Sequence, residues 1–256
     1  MIRVGKISYD KTNKKHQKII FPHYENFTPI IVMEFSDNSR TKSEYWPLSP
    51  YVLVDEKNRI MENVYQFSKI YKTVPKIKTK NYDKTIMWSH DEETHIDENG
   101  GAAMVTDEYW KWREKGMANP YPVRYPVGRE HRVNCQYAIP EFDPTLKLNY
   151  IQTRCLIYLS EFSRLARQHE LFKDLRERLL NGEKLLIIEV DGPHQESMDY
   201  YKENYGVDDS FIKDNTMLVT KENLTIMAKD TKHPFGHCYC LAMALLDLED
   251  LAKSWC

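Results

Sequence analysis

Apolar residues fall into short runs and helical stripes separated by polar turns. Residues 29–35 have strand composition and end at a Ser-Asp-Asn-Ser turn. Residues 1–20 are basic and polar, with Lys11, Lys14, Lys15 and Lys18 ahead of Ile19 and Ile20; this predicts a short edge strand whose lysine border discourages strand addition. Trp46-Pro47-Leu48-Ser49-Pro50 forces a turning path, residues 51–54 read as another strand, and 55–58 are its turn. From Met61 the period becomes helical: Val64, Phe67, Ile70 and Tyr71 share one face, Glu62, Gln66 and Lys69 occupy another, and Pro75 ends the helix.

Residues 76–147 lose this regularity. Seven prolines and glycines punctuate 116–144, so the stretch reads as an insertion of loops and short helices, with residues 110–113 helical. Residues 148–180 carry apolar residues at helical spacing, as one long helix or two with a break near Gln168-His169, and Asn181-Gly182 is the stop. Residues 184–190 form the clearest strand, and Asp191-Gly192-Pro193-His194 turns after it. A further strand is predicted at 217–220 and a buried helix at 237–253. The fold class is therefore α+β: one mostly helical domain packed on a small sheet, with 76–147 as a long loop-rich insertion.

Composition narrows this picture. With 256 residues, 41% apolar and 29% charged, the chain has enough apolar side chains for a real core and does not resemble a disordered one. A net charge of −2 argues against wholesale coating of nucleic acid, although local basic patches remain compatible. No apolar run approaches bilayer length, and residues 1–4 begin no signal peptide, so the expected location is the cytoplasm, that of the host if the protein is viral. Five scattered cysteines form no paired framework and fit reduced thiols. The 17 tyrosines and 5 tryptophans supply rings that can stack on a base or sugar, or simply stand half-buried.

Three constellations carry possible chemistry. Glu62, Gln66 and Lys69 follow one another at i, i+4 and i+7, which puts a carboxylate, an amide and an amine on one helical stripe. Facing a pocket, Glu62 suits ribose hydroxyls or an attacking water; the bare spacing also fits a solvated helix face. Glu189 and Asp191 emerge from a core strand beside His194, where partial desolvation suits acid/base work, and where a turn aspartate fits equally. Residues 233–240, with Gly236 and His237, enter the last helix, whose N-terminus favours an anion such as a pyrophosphate. Their His and Cys spacing is too crowded for a zinc site, so no metal is expected. In the insertion, Arg129 beside other arginines and rings suits phosphate or base contacts, or a structured surface.

The order of these blocks resembles the NADAR (YbiA-like) family. Strand, Trp46-Pro47-Leu48-Ser49-Pro50-Tyr51, then Glu62-x-x-Tyr65-Gln66-x-x-Lys69 is similar to the family's opening segment and its E-H-x-x-Q-x-x-K helix. A helix containing His169-Glu170-Leu171, a strand with Glu189 and Asp191, and a closing Gly236 loop and helix follow in family order. Asn63 stands in place of the family's His and Pro50 in place of its Asn, while the Trp-Gly and Gly-Lys-Asn signatures are absent. The resemblance implies an N-glycosidase acting on a nucleotide, an ADP-ribosyl small molecule or a modified nucleic-acid base, without cofactor. Glu62 and Asp191 would be catalytic and converge in one cleft. Trp46, Tyr65, Gln66, Lys69, Glu189, His194, Gly236, His237 and Arg129 would bind substrate. The general texture is also similar to large-bacteriophage proteins.

Two other readings stay open. Residues 186–194 are similar to the E-x-D-G-x-x-H segment of restriction-endonuclease-like nucleases, one residue short, where Glu189 and Asp191 would hold Mg²⁺. A non-catalytic viral protein binding a host factor through the ring-rich insertion is the other.

Overall fold

A computed structural model describes residues 1–10, 18–33, 43–81, 83–98 and 103–255. The fold is α+β. The chain divides into two compact units, Met1–Ser49 with Leu159–Cys256, and Pro50–Tyr158. The second is continuous in sequence and wider than the irregular 76–147 stretch. The lysine border at 11–15 and the turn at 36–39 lie outside the described residues.

The first unit is built on a four-stranded sheet with the order Thr216–Leu218, Ile2–Lys6, Leu185–Glu189, Thr28–Ile31. Ile2–Lys6 and Thr28–Ile31 flank Leu185–Glu189 in parallel, and Thr216–Leu218 runs antiparallel on the outer side of Ile2–Lys6. Every residue of Leu185–Glu189 is buried, which is why its first four residues are a continuous apolar run instead of an alternation. Ile2–Lys6 is nearly as buried; the polar surroundings of residues 1–20 conceal a central strand. Ile19–Ile20 does form a short strand, paired with Ser8–Tyr9.

Helix His237–Leu245 packs over the two central strands and against Ser160–Ala166, with all nine residues buried. A helix apolar on every side can only be stable in such a place. It ends earlier than its apolar pattern predicts, because Asp247 adopts left-handed φ of 55°. Arg167 and Arg176 donate to the terminal carbonyls of Ala244 and Leu245 at 2.8 Å each, and both also pair with Asp247. These bonds serve carbonyl groups that a helix end leaves without intrahelical partners. A 3₁₀ turn, Glu249–Ser254, completes the segment.

Of the two readings left open for residues 148–180, one long helix or two with a break near Gln168-His169, the structure has the break. Tyr150–Thr153 passes through a π-helical turn, Arg154–Leu159, into Ser160–Ala166. After a break at 167–169, His169 caps Glu170–Leu180 by accepting the Leu171 N–H at 3.2 Å.

The second unit is organised by rings. Phe67, Tyr71, Trp88, Tyr109 and Trp112 pack together in its core. Phe67 lies 4.7 Å from both Trp88 and Trp112, centroid to centroid. Helix Asp107–Met117 comes so close that a Cβ on Gly116 would stand 2.0 Å from Phe67 Cδ1, so only glycine fits there.

Three local expectations change here. Helix Met61–Phe67 stops at Ser68, and Lys69–Tyr71 becomes a strand paired with Cys135–Ala138. Ile70 and Tyr71 satisfy helical spacing but pair with Tyr137 and Cys135, far along the chain, which local periodicity cannot register. Residues 51–54 make only a single bridge, Val54 with Ile60. The Asp55 carboxylate accepts the Lys57 and Arg59 N–H groups and draws the chain into a turn. The stretch read as loops contains a hairpin, Ile77–Lys80 with Ile86–His90.

Candidate active site

In the second unit, Glu62 lies in the first turn of Met61–Phe67, where the positive end of the helix dipole favours a carboxylate. Its Oε1 accepts from Gln66 Nε2 at 2.7 Å, and Gln66 Oε1 accepts from Lys69 Nζ at 2.7 Å. Because an ammonium only donates and a carboxylate only accepts, the Gln66 amide can face only one way. Glu62 and Gln66 are buried, at 4% and 8% exposure. The stripe read as solvated or functional is therefore an internal hydrogen-bonded chain, and Lys69 joins it from the strand that follows the helix.

Lys69 is half-buried, with its amine 4.0 Å from the Tyr65 ring centroid. Desolvation brings its pKa down to about 8; Cys135 and Glu62 pull the other way, and Arg124 and Arg132 assist the fall. Tyr65 is pushed well above the ordinary phenol value, chiefly by burial and then by Tyr150. Its ring lies 4.7 Å from that of Tyr158, in the π-helical turn. Such turns recur at functional sites. Arg154, from the same turn, is buried and donates to Tyr150 at 2.9 Å. Asn63 donates to the carbonyls of Asn119 and Tyr121 and accepts the Val123 N–H. It holds that loop. Arg129 is exposed on the loop beyond Gly128.

The remaining predicted residues belong to the first unit. Glu189 ends the central strand; its Oε2 lies 2.7 Å from His237 Nδ1, and its Oε1 accepts the Cys238 N–H at 2.9 Å. His237 Nε2 donates to the Val32 carbonyl at 2.8 Å. With both ring nitrogens facing acceptors, the imidazolium is favoured: burial opposes charge, but Glu189 raises the His237 pKa above its ordinary value. Glu189 falls below the usual carboxylate range, since its His237 and Cys238 partners outweigh burial. Gly236 is required here, because a Cβ would sit 1.8 Å from Glu189 Oε1. This is a closed buried pair whose polar atoms are directed at the protein.

Asp191 follows in the turn and is half-buried. The His194 ring lies tilted against that of His233, with centroids 4.7 Å apart and planes inclined by 36°. Trp46 starts a 3₁₀ turn, Trp46–Leu48, that packs on Glu170–Leu180. Thus Glu62, Tyr65, Gln66 and Lys69 are brought together in one unit and Glu189, Gly236 and His237 in the other, with Glu62 and Asp191 carried by different units.

Sequence reasoning missed Cys135, Tyr150, Arg154 and Tyr158 around Tyr65 and Lys69. No short spacing signals them; strand pairing across the unit and a helix far along the chain supply them. Among the described residues, no three or more His, Cys, Asp or Glu side chains converge in a way that could hold a metal ion, and no helix is long and apolar enough to cross a membrane. No protein-family model matches the chain, and comparisons with curated proteins and with solved structures give no significant match.

Proposed function

We propose that the protein is an N-glycosidase-like hydrolase, divergent from the NADAR family, acting on a nucleotide, ADP-ribosyl or modified-base substrate. The observation that carries this reading is the hydrogen-bonded chain from buried Glu62 and Gln66 to half-buried Lys69. Cleavage of an N-glycosidic bond develops positive charge on the ribose and negative charge on the departing base. A fixed, poorly hydrated carboxylate stabilises the first. An amine whose pKa lies about 8 exchanges its proton near neutrality, as protonating the second requires. Gln66 sets the spacing between them. The half-buried Tyr65 ring beside Lys69 offers a face for the sugar or base.

The nuclease reading gains less support. Glu189, its principal metal ligand, is engaged by a cationic His237 and a backbone N–H, and both oppose a second cation on that carboxylate. Asp191 enters the glycosidase reading through the family resemblance alone.

The test is release of free base or ADP-ribose in EDTA from a ribosylaminopyrimidine and from an oligonucleotide ADP-ribosylated on guanine. Glu62→Gln is expected to retain the fold and to lower turnover by about two orders of magnitude, the scale for losing one transition-state electrostatic contact. Full activity in that variant removes Glu62 from the mechanism. Asp191→Asn, measured in parallel, decides whether a second acid takes part.

A further inference from the structure

Ser197, His233 and Asp230 lie within the first unit, outside the Glu62 centre. Ser197 Oγ is 2.9 Å from His233 Nε2, and His233 Nδ1 is 2.6 Å from Asp230 Oδ2. We propose that Ser197, His233 and Asp230 form a nucleophilic triad that hydrolyses short-chain carboxylic esters through an acyl-serine intermediate.

The acid is well fixed. Asp230 is fully buried; its Oδ1 accepts from the Tyr200 hydroxyl at 3.0 Å and the Lys232 N–H at 2.8 Å, and its Oδ2 also accepts from the Tyr201 hydroxyl at 2.9 Å. Four donors, counting His233, hold it as a carboxylate. An anion against Nδ1 decides the tautomer of the neutral ring. The opposite one would direct a nitrogen lone pair at a carboxylate oxygen, so Nδ1 carries the proton and Nε2 accepts from Ser197. That is the polarity a general base needs, and triads are recognised by such geometry, not by sequence position.

Ser197 is placed as a nucleophile and not as a cap. It stands at the N-cap of helix Met198–Tyr205, where a serine side chain ordinarily accepts a first-turn N–H, yet it makes no such bond. Its hydroxyl is directed to His233 instead. The helix dipole presents its positive end to this turn, which favours an oxyanion forming on a bound acyl group. Beside the triad, the His194 ring lies tilted against that of His233, and its buried Nε2 has no hydrogen-bond partner among the described residues. Ser197 is half-buried and the His194 ring crowds the base at 4.7 Å between centroids, so a small acyl group is the fitting substrate.

In the first step the Ser197 hydroxyl proton moves to His233 Nε2 as Oγ bonds to the acyl carbon and the carbonyl electron pair moves onto oxygen. Collapse breaks the bond to the alkoxide, which leaves with the proton from Nε2. Water then repeats the sequence on the acyl-serine, so that ester and water give acid and alcohol with Ser197 and His233 restored.

The test uses the full chain with a fluorophosphonate probe and with 4-nitrophenyl acetate. Phosphonylation is located by peptide mass spectrometry, with the exposed Ser210 as internal reference. Ser197 is expected to label at least 100-fold faster than Ser210. Asp230→Asn and His233→Gln should lower that rate and the acetate turnover by about 10³-fold, the scale for losing a triad member. Circular dichroism confirms that each variant is folded. Ser197 labelling no faster than Ser210 in the wild-type chain overturns the proposal, whatever the variants do. So does an unchanged labelling rate in a folded His233→Gln.

Discussion

Replacing Glu189 with glutamine probes the buried pair that anchors the last helix to the central strand. The carboxylate holds His237 Nδ1 at 2.7 Å and the Cys238 N–H at 2.9 Å, and Glu189 and His237 are only 3% and 7% exposed. Removing one partner of a buried ion pair leaves the other charge uncompensated, which costs about 3–5 kcal/mol. That is a large share of the roughly 5–15 kcal/mol that holds a domain folded. His237 can escape part of the cost by losing its proton, and this gives the effect a pH signature. In the wild type the His237 pKa is raised, so its contribution is complete below the unfolded value of about 6.5 and is lost as pH rises through the folded value. The Glu189 pKa is lowered, so its contribution is present above the unfolded carboxylate value and is lost only as pH falls through the folded one. Glu189→Gln should therefore cost about 3 kcal/mol or more at pH 6 and less at pH 8. Denaturant unfolding at both pH values measures this, with hydrogen exchange of the Cys238 amide as the local readout. A loss below about 1 kcal/mol at pH 6, or one that grows with pH, refutes the reasoning.

Two other outcomes follow from the second unit. If Lys69 protonates the leaving base, kcat/KM for base release falls above its pKa of about 8, and Lys69→Arg moves that limb to higher pH while lowering the rate; a pH profile unaltered by the substitution removes Lys69 from proton transfer. His95 is buried and its pKa is lowered to about 4, mainly by desolvation and then by His90, so the unfolded chain binds the proton first on acidification. Stability should fall between about pH 6.5 and pH 4 by roughly 1.4 kcal/mol per unit from this group, and His95→Phe should flatten that slope; an equally steep slope in the variant assigns the acid sensitivity to other groups.

The grouping of Glu62, Gln66 and Lys69 was legible because it is local. Residues 62, 66 and 69 are close in any helix, and the structure links all three by hydrogen bonds, although Lys69 does so from the start of a strand. The apolar run at 185–188 and the apolar helix stretch at 241–245 were legible because burial on all sides favours apolar side chains, and a buried ion pair, Glu189 with His237, sits at the ends of the two elements. The strand at 2–6 was hidden, since its five residues sit in a basic segment and owe their burial to partners 180 or more positions away.

The sequence alone determined the α+β class and the helix-borne Glu62 and Gln66, which follow from side-chain period and turn chemistry within a few residues; it left the break at 167–169 as one of two alternatives. Tertiary structure alone decided which groups are desolvated and which face one another. Lys69 titrates low because remote segments exclude water from its amine, His237 is held as a cation by a strand far along the chain, and Ser197 meets His233 across 36 residues. Periodicity reports which face of an element is buried. The packing of distant segments determines the electrostatic environment of what is buried there.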